Sequence, residues 1–416
     1  MLARANSPRH QALSHLSRLC LGSVVICALT ISACSTFNLG SKKSADAKSS
    51  GTRTTQSTSA KDENTAKEAV TEAAREADRT SKQLQPYDEG ERARANGDYA
   101  AAFKWFSTAA ESGHVEARVA LGDLYVNGQG VMKNYTEAIS WYRRAATDGS
   151  VVAQVKLAAM NLNGIGMPRD VNQAAKLYAS AAQKGLAEAQ TALGKMHLQG
   201  WGLPFSEKAA VEWFRKAAEQ GDVEAIYQLA RAYDAGRGVK ADPQAAMRWF
   251  QQAADQGHAQ AQYEVGLSYF MGNRGVTQNY DEAIKWYKMA AQRGLADAQN
   301  NLGVIYAEGH GTTVDLLEAV RWYTVAAEQG HIASQANLAT MYRYGLGAKQ
   351  DYVAGYKWYT IAAHMAAKSD VTMKVAAEIN RDKMAEKMSV EQVQSAKEQA
   401  RVWIEKNDSD NPAEKH

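Results

Sequence analysis

Tryptophan recurs along this chain at Trp105, Trp141, Trp213, Trp249, Trp286, Trp322 and Trp358, in steps of 36 residues and once of 37. The one skipped beat falls on Leu177. Each beat is followed by an aromatic (Phe106, Tyr142, Tyr178, Phe214, Phe250, Tyr287, Tyr323, Tyr359) and, after two more residues, by Ala-Ala. A fixed period of this length means stacked supersecondary units rather than one closed globule. The architecture is therefore expected to be all-α, and the function class that follows is binding.

Within one period the local logic is legible. Ala117, Leu121 and Tyr125 step by four and give one helix an apolar face. Gly128-Gln129-Gly130 ends that helix, because glycine enters left-handed backbone at little cost. Asn134 then caps a second helix, with Glu137 three residues later as a capping box. The cap recurs as Asp170, Ser206, Asp242, Asn279, Asp315 and Asp351, and Asp242-Pro243 puts proline at the first helical position. The second helix places Ala138, Trp141, Tyr142, Ala145 and Ala146 on one face. Ala-Ala lets a neighbouring helix approach closely, and the Trp is expected to fill the gap beside it. Gross burial of one such Trp is worth roughly 4–6 kcal/mol before entropy.

Units such as Ala298-Gln299-Asn300-Asn301-Leu302-Gly303, then Gly309-His310-Gly311, then Arg321-Trp322-Tyr323 and Ala326-Ala327-Glu328-Gln329-Gly330 resemble Sel1-like repeats, relatives of the tetratricopeptide repeat. The resemblance implies an α-solenoid of helix-turn-helix units coiled into a right-handed superhelix. It covers residues 86–366 as one short helix pair, Tyr87 to Ala95 and Tyr99 to Ala110, followed by seven full repeats. The stretch 367–406, with Ser389-Val390-Glu391-Gln392 opening a helix, looks like the C-terminal capping helices of such proteins, and 407–416 is expected to be a disordered tail. The second full repeat departs from the pattern, with Asn161 where most others carry Tyr and Leu177 in place of Trp. It is expected to be the softest unit.

The N-terminal region reads as an address. Arg4, Arg9 and Arg18 form a basic start without acids, and the apolar run Leu19 to Ile31 is too short to span a bilayer comfortably. It ends in Ile31-Ser32-Ala33-Cys34, which resembles the lipobox of bacterial lipoproteins. That resemblance implies a signal peptide over 1–33, cleavage before Cys34 and acylation of Cys34, with Ser35 resembling outer-membrane sorting signals. Residues 34–60 are then a tether reaching roughly 90 Å when extended. The Ala/Glu/Lys-rich 61–85 reads as a marginal helix ended by Pro86.

All three cysteines, Cys20, Cys27 and Cys34, lie at or before the expected cut, so the repeats carry no thiol or disulfide. The chain has 48 Lys and Arg against 45 Asp and Glu; without the three leader arginines the balance is 45 to 45. No electrostatic footprint for nucleic acid survives in that total.

The Gly-x-Gly pairs follow helices rather than strands and continue to no Gly-Lys-Ser, so they read as turns and not as phosphate loops. His114, His258 and His331 share one position after a turn glycine, without metal-ligand spacing. No catalytic motif stands out, and neither an enzyme nor a cofactor is expected. The candidate partner surface is the loop edge of the second and third full repeats, where Ile165, Met167, Trp201, Leu203 and Phe205 replace polar loop residues. The same residues also suit local packing over the helix ends. Asn300, Asn301 and Asn337 on first helices are the second candidate, as groove residues able to hold a peptide backbone.

Together these features lead to the expectation of a non-enzymatic scaffold lipoprotein, lipid-anchored in the inner leaflet of the outer membrane and facing the periplasm. It would bind other envelope proteins in an export, secretion or signalling assembly. The rival reading is a protein that binds or modifies cell wall or exopolysaccharide.

Overall fold

The computed structural model describes residues 85–366 and 370–409, and every regular element among them is helical. They fall into two compact units, residues up to 225 and residues from 226 onward.

The first unit contains α1 (85–95), α2 (Tyr99–Glu111), α3 (Val115–Asn127), α4 (Tyr135–Thr147), α5 (Val151–Asn163), α6 (Val171–Gln183), α7 (Ala187–Gln199) and α8 (Glu207–Ala218). α9 (Val223–Ala235) spans the division. The second unit continues with α10 (Pro243–Asp255), α11 (Ala259–Met271), α12 (Tyr280–Gln292), α13 (Ala296–Glu308), α14 (Leu316–Glu328), α15 (Ile332–Tyr344) and α16 (Tyr352–Ala366). It closes with α17 (Val371–Ala385) and α18 (Val390–Ser409). In each unit, helices neighbouring in sequence pack against one another, the contact pattern of an α-solenoid. The last two helices both pack on α16, and α18 runs to Ser409, past the expected boundary at 406.

The helix starts follow the side-chain chemistry closely. The carboxylate or amide oxygens of Asn134, Asp170, Asp242, Asn279, Asp315 and Asp351, and the hydroxyl of Ser206, each accept a backbone N–H from the first turn of the following helix. The first helices of three repeats use histidine instead. His114, His258 and His331 accept through Nδ1 from the N–H groups of Ala117, Ala261 and Ser334, all at 3.2 Å. An accepting Nδ1 leaves the proton of the neutral ring on Nε2, and the His331 Nε2 lies 3.4 Å from Asp297 Oδ1.

Helix ends are closed by a device the periodicity does not announce. The Nε2 of Gln190, Gln262, Gln299 and Gln335 donates to the carbonyls of Ala182, Ala254, Ala291 and Ala327, each eight residues back, at 3.1–3.2 Å. Each is a second donor to a carbonyl at the end of the preceding helix, which also accepts the backbone N–H of the turn glycine three residues on. The Gln190 and Gln299 Oε1 atoms in turn accept from Gln220 and Gln329.

The core corrects one expectation. The residues that fill the centre are the second aromatics: Phe106, Phe214, Phe250, Tyr287, Tyr323 and Tyr359 are all at most 2% exposed. Of the periodic tryptophans only Trp286 and Trp358 are buried. Trp141, Trp213, Trp249 and Trp322 are half-buried, and Trp105 is 43% exposed. Cationic side chains cover several of them, with Arg144 over Trp141 at 4.6 Å and Lys216 over Trp213 at 4.3 Å. Full burial of each Trp therefore overstates its contribution.

The reason the following ring is preferred lies in the facing helix. Gly303 leaves a slot for Tyr323, since a Cβ there would stand 2.5 Å from its ring. Gly122, Gly194 and Gly266 do the same for Tyr142, Phe214 and Tyr287. The Ala-Ala pairs beside these rings are buried almost throughout, which brings the helices together and leaves the ring no other place.

Candidate functional site

The loop edge of the second and third full repeats is built by two equivalent turns. Gly200 closes α7 in left-handed backbone, and Gly202, also at positive φ, sits where a Cβ would overlap the Val171 carbonyl. The Gly-x-Gly signature thus serves a sharp turn pressed against the start of the preceding second helix.

In these turns the apolar residues divide by direction. Met167 packs into the cluster around Ile139 and Tyr142, and Leu203 into that around Val155 and Tyr178. These two anchor the loops, as the local-packing alternative holds. Ile165, Trp201 and Phe205 remain 37, 40 and 64% exposed. The two loops meet through Arg169, whose guanidinium lies 5.4 Å from the Trp201 ring centroid while its Nε donates to the Leu162 carbonyl. Arginine placed over an exposed indole gives an amphipathic surface of the kind that interface anchors use.

The asparagines are placed differently from the groove expectation. Asn300 and Asn337 are 6 and 2% exposed. Asn300 Oδ1 accepts from Ser334 Oγ at 2.9 Å and from Asn337 Nδ2 at 3.3 Å, so the pair ties one repeat to the next. Neither is free to hold a peptide, because turning outward would break these buried bonds and take from the Ser334 hydroxyl its acceptor. Asn301 is half-buried, and its Oδ1 accepts from the Asn300 Nδ2 at 3.5 Å. Cys34 lies outside the described residues.

A third cluster escapes the motif search. The period of 37 residues reflects one extra residue in the turn Gly272-Asn273-Arg274-Gly275. Arg274 has φ 53°, the one non-glycine with positive φ among the described residues. Its Nε and Nη2 donate to Oδ1 and Oδ2 of Asp234, each at 2.7 Å, and Nη1 donates to Ser268 Oγ at 3.0 Å and stands 3.1 Å from Glu264 Oε2. The guanidinium also lies 5.0 Å from the Phe250 ring centroid. Burial pushes the Glu264 carboxyl up from its ordinary range, against the opposing pull of Arg274. The irregular beat was the available signal; its partner, 40 residues upstream, was not readable from spacing.

The Sel1 repeat family profile matches residues 87–114, 115–150, 151–186, 187–222, 223–258, 259–295, 296–331 and 332–366. The chain belongs to the Sel1-repeat family. Among solved structures it is similar to the protective antigen of uropathogenic Escherichia coli strains displaying an SLR fold, with 35% identity and a TM-score of 0.67 over 78% of this chain and 68% of that one. It is also similar to a Sel1 repeat protein from Oxalobacter formigenes, with 31% identity and a TM-score of 0.57 over 74% of this chain and 90% of that one. A comparison with curated proteins finds no match. Sel1 repeats form a typically non-catalytic scaffold that mediates protein–protein interaction. The eight matched units agree with the short pair and seven repeats expected from the tryptophan period.

Proposed function

We propose that this Sel1-repeat chain is a lipid-anchored scaffold of the cell envelope that holds partner proteins against its loop edge. The observation carrying the reading is the surface of Ile165, Trp201 and Phe205, left exposed on turns whose other apolar residues are anchored in the core. Rigid presentation is the mechanism. The repeats hold the edge in fixed geometry, so little ordering entropy is lost on binding. The lipobox-like residues before Cys34 support attachment to a membrane, and the stretch after it supports a tether that lets the edge search the periplasm. Partners of this kind belong to an export, secretion or signalling assembly.

Two measurements test the proposal. On fractionation of cells, the Cys34→Ala chain is expected to leave the membrane for the soluble periplasmic fraction; retention on the membrane would refute the anchor. Envelope proteins that co-purify with the detergent-extracted chain should be lost from the Trp201→Ser/Phe205→Ser variant. An unchanged set would refute the loop edge as the docking surface.

A further inference from the structure

Two adjoining open clefts, of about 650 and 440 Å³, run along α10 in the second unit and share Tyr233 and Asp242. Most charged groups at their walls are already engaged. Arg274 is held by Asp234 and Glu264, and the Asp242 carboxylate accepts the Ala245 N–H as helix cap. Lys240 and Arg248 are different: both are exposed, and neither has an ion-pair or hydrogen-bond partner among the described residues.

The same holds for the ring beside them. Trp141, Trp213, Trp286 and Trp358 each carry a lysine or arginine over the indole. Among the described residues no cation covers half-buried Trp249, as none covers Trp105 or Trp322, although Arg248 is its chain neighbour. On either side, the exposed amides of Gln244 and Gln252 make no hydrogen bond with other described side chains. Gln244, Arg248 and Gln252 follow at intervals of four, so they form one stripe about 12 Å long. That length matches about four residues of extended chain.

We propose that this face of α10 binds an acidic linear peptide segment of a partner protein. Lys240 and Arg248 meet its carboxylates, the glutamine amides pair with its backbone N–H and C=O groups, and one apolar side chain lies against Trp249. A peptide fits better than an anionic saccharide. The free amides stand at both ends of the stripe, where an extended backbone offers both donors and acceptors. Trp249 is half-buried, so only part of its ring is open to a ligand. The proposal rests on the reading of the chain as a protein-binding solenoid but uses a surface separate from the loop edge.

The test is selection of a random heptapeptide display library on the purified chain, followed by fluorescence anisotropy of labelled selected peptides. The expected pool is enriched in Asp and Glu. Its peptides should bind at least ten-fold more weakly to the Lys240→Glu/Arg248→Glu variant, whose exposed substitutions should leave the circular dichroism melt unchanged. Binding should weaken as salt rises and be indifferent to Trp201→Ser. A pool without acidic enrichment, or equal binding by the charge-reversed variant, would overturn the proposal. So would binding of oligogalacturonate that is lost in the double variant while no acidic peptide is selected. Loss of peptide binding in Trp201→Ser alone would instead move the site to the loop edge, leaving the scaffold reading intact and this one refuted.

Discussion

At Gly303 the backbone of α13 opens a slot that the Tyr323 ring fills, and substitution there is the sharpest test of how the repeats are packed. Gly303→Val drives a branched side chain into a buried ring, and overpacking of this kind costs about 1–3 kcal/mol. Urea unfolding monitored by circular dichroism should show the midpoint fall accordingly; an unchanged midpoint would mean that Tyr323 is not confined. The alternation of Trp and aromatic is plain in the sequence, but which of the two is buried is not. Adjacent helix positions stand about 100° apart, so both border the apolar face, and only the glycine on the facing helix decides between them. The same limit explains Asn300 and Asn337. Their spacing places them on first helices, yet whether they face a groove or the next repeat depends on how closely the repeats stack. His114, His258 and His331 were legible as one recurring position, and their role as caps follows from the turn that precedes them.

At the scale of single elements, the turn with the extra residue is the main departure from the repeat. Arg274→Ala leaves the Asp234 and Glu264 carboxylates without their shared cation. Because breaking a partly buried ion pair from one side is costly but softened by solvent, the expected loss is about 1–3 kcal/mol, read as a drop in unfolding free energy. Loss below a few tenths would show that the cluster is solvated. Glu264 supplies a pH signature. Its folded pKa is raised, so the native state binds more protons than the unfolded one between the ordinary carboxyl value and the raised one. Its ionisation therefore costs stability above that window and costs nothing below it. Glu264→Gln, which mimics the protonated acid, should be at least as stable as wild type at pH 7, with the advantage gone at the acid end of the window. A variant less stable at pH 7 would reverse the sign. Repeat two makes a separate case. Asn161 is buried with its amide turned back to the Leu157 carbonyl, and half-buried Leu177 occupies the missing tryptophan position. Amides of α5 and α6 should exchange with deuterium faster than those of α7 and α8; uniform protection would remove the soft unit. The sequence pattern announced both irregular repeats. It was silent on the long-range partner of Arg274, since contacts between repeats are set by stacking and not by local spacing.

For the whole molecule, periodicity made the solenoid legible because each unit repeats the same solution to burying one apolar face. Partner choice was less legible, because it lives in side chains that the repeat does not need. Trp201 and Phe205 break the pattern and remain exposed, whereas Met167 and Leu203 stand where other repeats carry Val131, Val239 and Val276 and turn inward. The scaffold account therefore turns on whether the outward pair touches protein in the cell. Photo-crosslinking amino acids placed at 201 and 205, with Val152 on α5 as an exposed control, measure that contact directly. The account predicts recurrent adducts with the same envelope proteins from 201 and 205 and none of these from 152. No protein adduct from either loop position, or the same adducts from all three, would contradict it.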